Sequence, residues 1–404
     1  SASLVGLKVP PSGRPVEIKP YFIGDFNSNR TTFPTMSNDL GANVGLDLVK
    51  YGITDNLTAD FTINTDFAQV EADEQQINLT RFSLFFPEKR EFFLENQGIF
   101  GFGGAGGRGP FRGSPDTPII FYSRRIGLNQ GLEVPIVAGG RMTGRIGKFN
   151  LGIINIQTGD KRSAAAQTTN FTVARIRRDL FRRSSVGALV TNRSLMAGHP
   201  GSNQSYGVDA TLAFYENILI NTYWAKTQTE GTSGRDTSYK GEFRYNGDRY
   251  GISAEHLFVD EQFLPGVGFM RRGDLRKSFG LLRLSPRPRS LEAIRKLTWE
   301  ASIDYITTAS GLVETREYQG RFQVEFESSD QFEISYTDTY DFLEKPFRIA
   351  PNVTIPSLGH KLWNARTSFQ FGQQRRLSGN LFTEHGAFYG GTKTAVGFGG
   401  GGPF

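Results

Sequence analysis

Apolar and polar residues alternate with period two along most of this chain. A first strand is expected over roughly Val16 to Asp25, followed by a polar loop from Phe26 to Asp39. Val44, Leu46 and Leu48 then share one face. After a turn at Thr54-Asp55-Asn56, Leu57, Ala59, Phe61 and Ile63 share a face while Thr58, Asp60, Thr62 and Asn64 take the other. Such alternation is the signature of a half-buried strand. It returns in Tyr206 to Phe214, Tyr239 to Tyr245 and Leu297 to Tyr305, and in Phe322 to Tyr336 around a turn at Ser328-Ser329-Asp330.

Two features set these strands apart from those of a soluble sandwich or propeller. Their polar phase is charged in mid-strand, and short turns alternate with longer polar loops at 159–168, 194–203, 228–236, 259–274 and 343–358. A closed membrane barrel predicts both, because one face meets lipid, the other meets water, and the two rims carry loops of different length. Aromatics such as Trp224, Tyr223 and Tyr245 are expected as interfacial girdles. The fold expected is all-β: a transmembrane antiparallel outer-membrane β-barrel of roughly 18–20 strands, estimated from the strand pattern. Residues 1–15 form a lead-in, and 16–404 form one barrel domain with an inserted segment at 66–117.

That segment breaks the alternation. Over 66–100 it reads DFAQVEADEQQINLTRFSLFFPEKREFFLENQGIF. Ile77, Arg81 and Leu84 fall at helical spacing, with Asp73 as a candidate N-cap and Pro87 as a stop. If the turns at 54–56 and 147–148 share a rim, a strand from Pro118 to Gly127 runs the same way as the strand ending near Asp66. The chain between them then crosses the membrane once more, as a bulged strand near 91–100 or through the lumen. Adjacent Phe92 and Phe93 favour the lumen, since irregular backbone at membrane depth must line a cavity or pack on protein. The residues expected to plug or constrict the bore are Asp66, Gln69, Glu71, Asp73, Asn78, Arg81, Phe85, Phe86, Glu88, Lys89, Arg90, Phe92, Phe93 and Glu95.

Composition narrows the picture. The 404 residues include 48 glycines and no cysteine, which excludes disulfides and thiolate metal sites. No window approaches about 18 uninterrupted apolar residues, so no transmembrane helix is expected. The 46 bases give a net charge of +6 but are dispersed rather than patched, which argues against nucleic-acid binding.

The stretch quoted above, with FYSRRIG (121–127) and GRMTGRIGKFNLG (140–152), resembles the DUF5916 family of bacterial outer-membrane proteins. The resemblance covers about 60–155 and implies an outer-membrane barrel, normally preceded by a carbohydrate-binding-like domain. That domain is not found ahead of the barrel here. Members also tend to continue past the glycine-rich VGFGGGGPF, so a fragment of a longer protein is a reading to keep.

For chemistry, the acids of 66–95 are expected to pair with Arg81, Lys89, Arg90 and lumen arginines. The alternative is Ca²⁺, which wants six to eight oxygens; the spacing matches no calcium loop, and no cofactor is expected. Glu88 with Glu91, or Asp66 with Glu71, has the residue types of a glycosidase pair but no fixed separation, and no catalytic residue is assigned. His199, His256, His360 and His385 fit no metal spacing. GFGGAGGRG (101–109) lacks the lysine of a phosphate loop and reads as a flexible connection. Lumen charge is expected from Arg124, Arg125, Arg244, Glu242 and Asp304, either biasing the pore toward anions together with Arg175, Arg177 and Arg178 or pairing across it. The function expected is a porin-like channel for small polar solutes in contact with outer-membrane lipid. The alternatives are a plugged barrel anchoring a protein partner at the surface or in the periplasm, or a barrel enzyme acting on saccharides or lipid.

Overall fold

The computed structural model describes residues 16–29, 37–65, 82–104, 115–129, 131–195, 201–350, 353–375 and 378–401. The strands are β1 Val16–Asn29, β2 Ser37–Thr54, β3 Leu57–Thr65, β4 Leu128–Asn129, β5 Leu132–Glu133, β6 Ile136–Ile146, β7 Phe149–Thr158 and β8 Thr169–Asp179. They continue as β9 Ser185–Arg193, β10 Asn203–Phe214, β11 Ile218–Thr229, β12 Thr237–Asn246, β13 Tyr250–Val259, β14 Leu275–Leu284 and β15 Ile294–Thr307. The last are β16 Val313–Phe326, β17 Gln331–Phe342, β18 Phe347–Ala350, β19 Val353–Ile355, β20 Gly359–Phe371, β21 Ser378–Phe388 and β22 Gly391–Gly401.

Eighteen of these form one antiparallel sheet; β4–β5 and β18–β19 are small separate ribbons. Within the sheet each strand pairs with the next along the chain, from β1 to β22. Among the described residues, β22 forms no ladder with β1. One rim carries short turns, such as 55–56, 147–148, 215–217 and 247–249; the other carries 159–168, 260–274 and 343–358. Outer-membrane barrels place short turns in the periplasm and long loops outside the cell.

The two faces differ as the alternation requires. On β11, Asn221, Tyr223, Ala225 and Thr227 are buried while Trp224 is 42% exposed. On β12, Lys240 and Glu242 are buried while Tyr239 and Phe243 face out. Aromatics cluster at two heights on the outer face: Tyr318, Tyr340 and Trp363 toward the long loops, Phe326, Phe332 and Phe369 toward the short turns. Phe332 and Tyr340 are eight residues apart on β17, roughly 26 Å along the strand, comparable with the apolar band of about 25 Å that such barrels present to lipid. The charged face is concave, because Glu91, Phe92, Phe102, Gly103 and Asp116 touch it on β1, β6, β8, β10, β11 and β14. The architecture is that of an outer-membrane β-barrel.

Several expectations need correction. Of the residues at helical spacing, Ile77 and Arg81 lie outside the described residues, while Leu84 and the rest of 83–90 are not helical; among the described residues of the segment the α-turn is α1, Glu91–Leu94, and Gln97–Phe100 is a 3-10 turn. The candidate cap Asp73 lies outside the described residues. Pro118–Gly127 is not a wall strand: it holds one isolated bridge, Ile119 to Phe269, and the 3-10 turn Ser123–Arg125. The 70 residues between β3 and β6 therefore leave and re-enter the wall at the same rim, and no extra crossing is needed. Leu48 points inward rather than with Val44, because a bulge between Leu46 and Val49 advances the register and flips the phase. Tyr223 also faces inward, packing on Phe102 rather than joining a girdle.

Candidate functional site

The family-like stretch lies against the inner face of the barrel, and its charged residues hold it there. Glu88 and Arg90 form the central staple. Arg90 Nη2 donates to Glu88 Oε2 at 2.7 Å and Nε to Oε1 at 2.8 Å. Arg90 also donates to the carbonyls of Ile126 (2.7 Å) and Ser123 (2.8 Å), and Ser123 Oγ donates to Glu88 Oε2 at 2.6 Å. The two limbs, 82–100 and 115–127, are thereby joined through a buried ion pair. Burial pushes the Glu88 carboxyl up, but Arg90 and Ser123 outweigh it and hold the group below the usual carboxylate range. Glu88 is therefore a structural anion rather than a proton donor. Its supposed partner Glu91 is exposed and pairs with Lys19 at 2.8 Å.

The second anchor is in the wall. Asp60 on β3 and Arg141 on β6 are direct cross-strand neighbours, both buried and ion-paired. Arg141 also donates to the carbonyls of Phe92 and Glu95 and lies 5.2 Å from the Phe92 ring. Lys50 on β2 pairs with Glu95 at 2.6 Å. Burial raises the Glu95 carboxyl, yet Lys50 and Arg141 bring it below its ordinary value. Asn96 donates to Thr143 at 3.1 Å, three residues from the end of β6, so the segment descends almost to the short-turn rim. It returns through Gly103, whose N–H donates to Asp209 on β10, itself paired with Arg175 at 2.6 Å. At the long-loop end Asp116 takes Lys277 at 3.1 Å and Arg272 at 3.1 Å, and Lys277 also reaches Asp304 at 2.8 Å.

Apolar residues fill the space between. Phe92, Phe93, Phe100, Phe102, Ile120 and Ile126 are buried in one cluster with Leu257, Val259, Phe263 and Val267. Phe85, Tyr122 and Phe269 form an aromatic trio with centroids 5.2–5.6 Å apart. Phe86 lies under Arg124, which donates to the Pro87 carbonyl at 2.9 Å. Gly152 has no side chain because the Phe100 ring occupies that space: a Cβ would meet it at 2.7 Å.

Of the expected residues, Phe85, Phe86, Glu88, Arg90, Phe92, Phe93 and Glu95 are thus brought together, with Lys89 between Glu88 and Arg90. Asp66, Gln69, Glu71, Asp73, Asn78 and Arg81 lie outside the described residues. Arg125 donates to Gly268 O at 3.0 Å. Glu242 pairs with Arg244 and Lys240. Arg175 is paired, Arg177 lies 4.0 Å from Asp179, and Arg178 faces outward and so does not line the lumen. Sequence reasoning missed Asp60, Arg141, Asp116 and Lys277 as anchors. Asp60 and Arg141 carried a usable signal, being charges on the inward phase of consecutive wall strands. No group of three or more metal-ligating side chains stands together among the described residues.

Residues 15–135, from the lead-in through both limbs to the start of β6, match the family described as "Domain of unknown function (DUF5916)". Over those residues the chain is similar to that family. The family stretch takes in both halves of the Glu88–Arg90 staple and Asp60 of the second anchor. No curated protein matches the chain. Similar solved structures include OpdK of Pseudomonas aeruginosa with vanillate, at 10% identity, 95% coverage of this chain, 94% of that chain and a TM-score of 0.34. OpdL of the same organism is 8% identical over 95% of each chain, with a TM-score of 0.35. A BenF-like porin from Pseudomonas fluorescens Pf-5 is 10% identical over 93% of this chain and 96% of that one, with a TM-score of 0.34.

Proposed function

We propose that the protein is a passive outer-membrane channel for small polar solutes, and that residues 66–100 with the returning limb constrict its bore on one side. A contrast between the walls carries this reading. The inward-facing positions of β8 and β11 (Phe171, Val173, Arg175; Asn221, Tyr223, Ala225) are buried under the inner segment. The inward-facing positions of β16 and β17 (Glu317, Arg321, Gln323; Glu333, Ser335, Thr337) remain partly exposed. Water has a route along that second wall.

The chemistry of the open wall sets the preference. Its carboxylates Glu300, Asp304, Glu317, Glu325, Glu333, Asp341 and Glu384 outnumber its bases Arg295, Lys296, Arg321, Arg366 and Lys393. Of the arginines that pointed toward anions, Arg175 is engaged in an anchor, Arg178 is on the outer face, and Arg177 and Arg244 stand beside the inner-face carboxylates Asp179 and Glu242. Rings of carboxylates favour cations, so the channel prefers cationic or neutral polar solutes. The test is conductance in a planar bilayer with a salt gradient. The expected result is ohmic conductance with a cation-selective reversal potential, and a larger conductance on deletion of 67–90. Silence of both proteins while the barrel stays folded defeats the channel reading.

The buried apolar cluster of Leu257, Val259, Phe263 and Val267 beside the long loop 260–274 favours a second reading: a closed barrel anchoring a surface or periplasmic protein. It predicts silence in the bilayer together with a stoichiometric partner on gentle purification.

A further inference from the structure

The outer face carries two apolar grooves of similar construction. One, of about 590 Å³, is framed by Phe149, Ile176, Val208 and Trp224 over a floor of Ala188 and Ala210. The other, of about 740 Å³, is framed by Leu282, Trp299, Phe322 and Tyr336 over Ala301 and Gly320. In the second, Ala301 lies directly opposite Gly320; in the first, Ala188 and Ala210 lie diagonally on adjacent strands, opposite Val208 and Val186; in both, these small residues dent an otherwise bulky surface. Each groove reaches the short-turn rim at an arginine stacked on an aromatic of the groove. Arg178 lies 5.4 Å from the Phe149 ring, and Arg249 lies 5.4 Å from the Tyr250 ring. Among the described residues neither arginine has a carboxylate within salt-bridge distance, whereas inward bases such as Arg175, Lys240 and Lys277 do. Further bases stand on the same rim: Arg182 and Arg183 beside the first, and Arg289 beside the second, where Arg287 is already paired with Asp248 at 3.0 Å.

We propose that these grooves are binding seats for anionic phospholipids of the leaflet on the short-turn side, each taking an acyl chain along its apolar floor and a headgroup phosphate at Arg178 or Arg249. The charge is complementary and correctly placed. A guanidinium at the membrane interface with no protein anion forms charge-assisted hydrogen bonds to a phosphate, and the stacked ring holds it over the mouth of the groove. The small residues of the floor let a chain lie against the backbone, where bulkier ones would hold it off.

Native mass spectrometry of the delipidated, folded protein titrated with phosphatidylglycerol or phosphatidylcholine tests this. Two phosphatidylglycerol molecules should be retained in preference to phosphatidylcholine. Arg178→Ala should weaken phosphatidylglycerol retention at one seat about fivefold, the loss expected for one base near an anionic headgroup. Arg178→Lys should largely keep the preference. Ala188→Phe, which fills the floor without touching the charge, should reduce retention of both lipids. Equal retention of the two lipids by the unaltered protein overturns the proposal, as does unchanged phosphatidylglycerol retention in both Arg178→Ala and Arg249→Ala. A heat-modifiability gel run on each variant confirms that the barrel is intact in every comparison.

Discussion

The two inner walls of this barrel are built from the same kind of strand and end in opposite states. On β3, β6, β8 and β10 the inward charges beside the inner segment are covered by it and tie the wall to it or to a charge that does so: Asp60 with Arg141, Arg175 with Asp209. On β15–β17 and β20–β22 the inward charges, apart from Asp304 beside the Lys277 anchor, pair along the wall. Arg321 bridges Glu300 and Glu333, and Glu384 takes Arg366 and Lys393, all at solvent-accessible positions. The difference teaches that a charged lumen does not by itself mean a polar pore. What an inward charge does depends on whether a second layer covers it. Once covered, it becomes part of a core in which an unpaired ion is costly.

The largest break in this contrast should come from Glu88→Ala. It leaves the Arg90 guanidinium buried without its carboxylate, a change that costs about 3–5 kcal/mol at such pairs. Amide exchange should accelerate across 82–100 and 115–127 while β16 and β17 are unaffected. If exchange rises equally in both walls, the staple is not local. Acidification should act in the same direction. Because the Glu88 carboxyl is held below its unfolded value of about 4.3, the pair's contribution is fully present above that value and is lost as pH falls through the lower folded value. Limited proteolysis of the inner segment across that window checks the sign.

A smaller effect is expected from Gly152→Ala. Its Cβ meets Phe100 at 2.7 Å, and overpacking of this sort costs about 1–3 kcal/mol. The matched change on the open wall, Gly399→Ala, has nothing within 4 Å and should fall within about 0.5 kcal/mol. Equal melting shifts for the two would contradict the asymmetry. The smallest stability change should come from Glu317→Gln, whose carboxylate accepts from Thr339 and has no cation within salt-bridge distance among the described residues. Its consequence should appear instead as a weaker cation preference in the reversal potential.

The wall was readable in the sequence because each strand's alternation is local, and the long loops fall almost where the polar stretches place them. The inner segment was readable only as an exception. Its partners stand far off in the chain, Asp116 with Lys277 and Gly103 with Asp209, and no periodicity encodes such pairings. Pro118–Gly127 looked like a strand because Ile119, Ile120 and Ile126 are apolar. In the structure Ile120 and Ile126 are buried against the inner cluster, a role that calls for apolar residues but not for a ladder. Leu48 and Arg178 were misplaced for simpler reasons: a bulge shifted the phase of one, and an adjacent run of arginines hid the phase of the other.

The 70-residue excursion begins and ends at one rim, between strands that pair directly. In polymer terms it is a hairpin whose turn has been stretched from two residues, as at 55–56, to 70. Loop-closure entropy grows only as the logarithm of length, so that stretch costs about 3 kcal/mol, no more than a buried ion pair such as Glu88–Arg90 is worth when broken. The zipping of β3 onto β6 is therefore disfavoured by about 3 kcal/mol relative to a two-residue hairpin, and the ion pairs of the guest it encloses offset that cost once it settles.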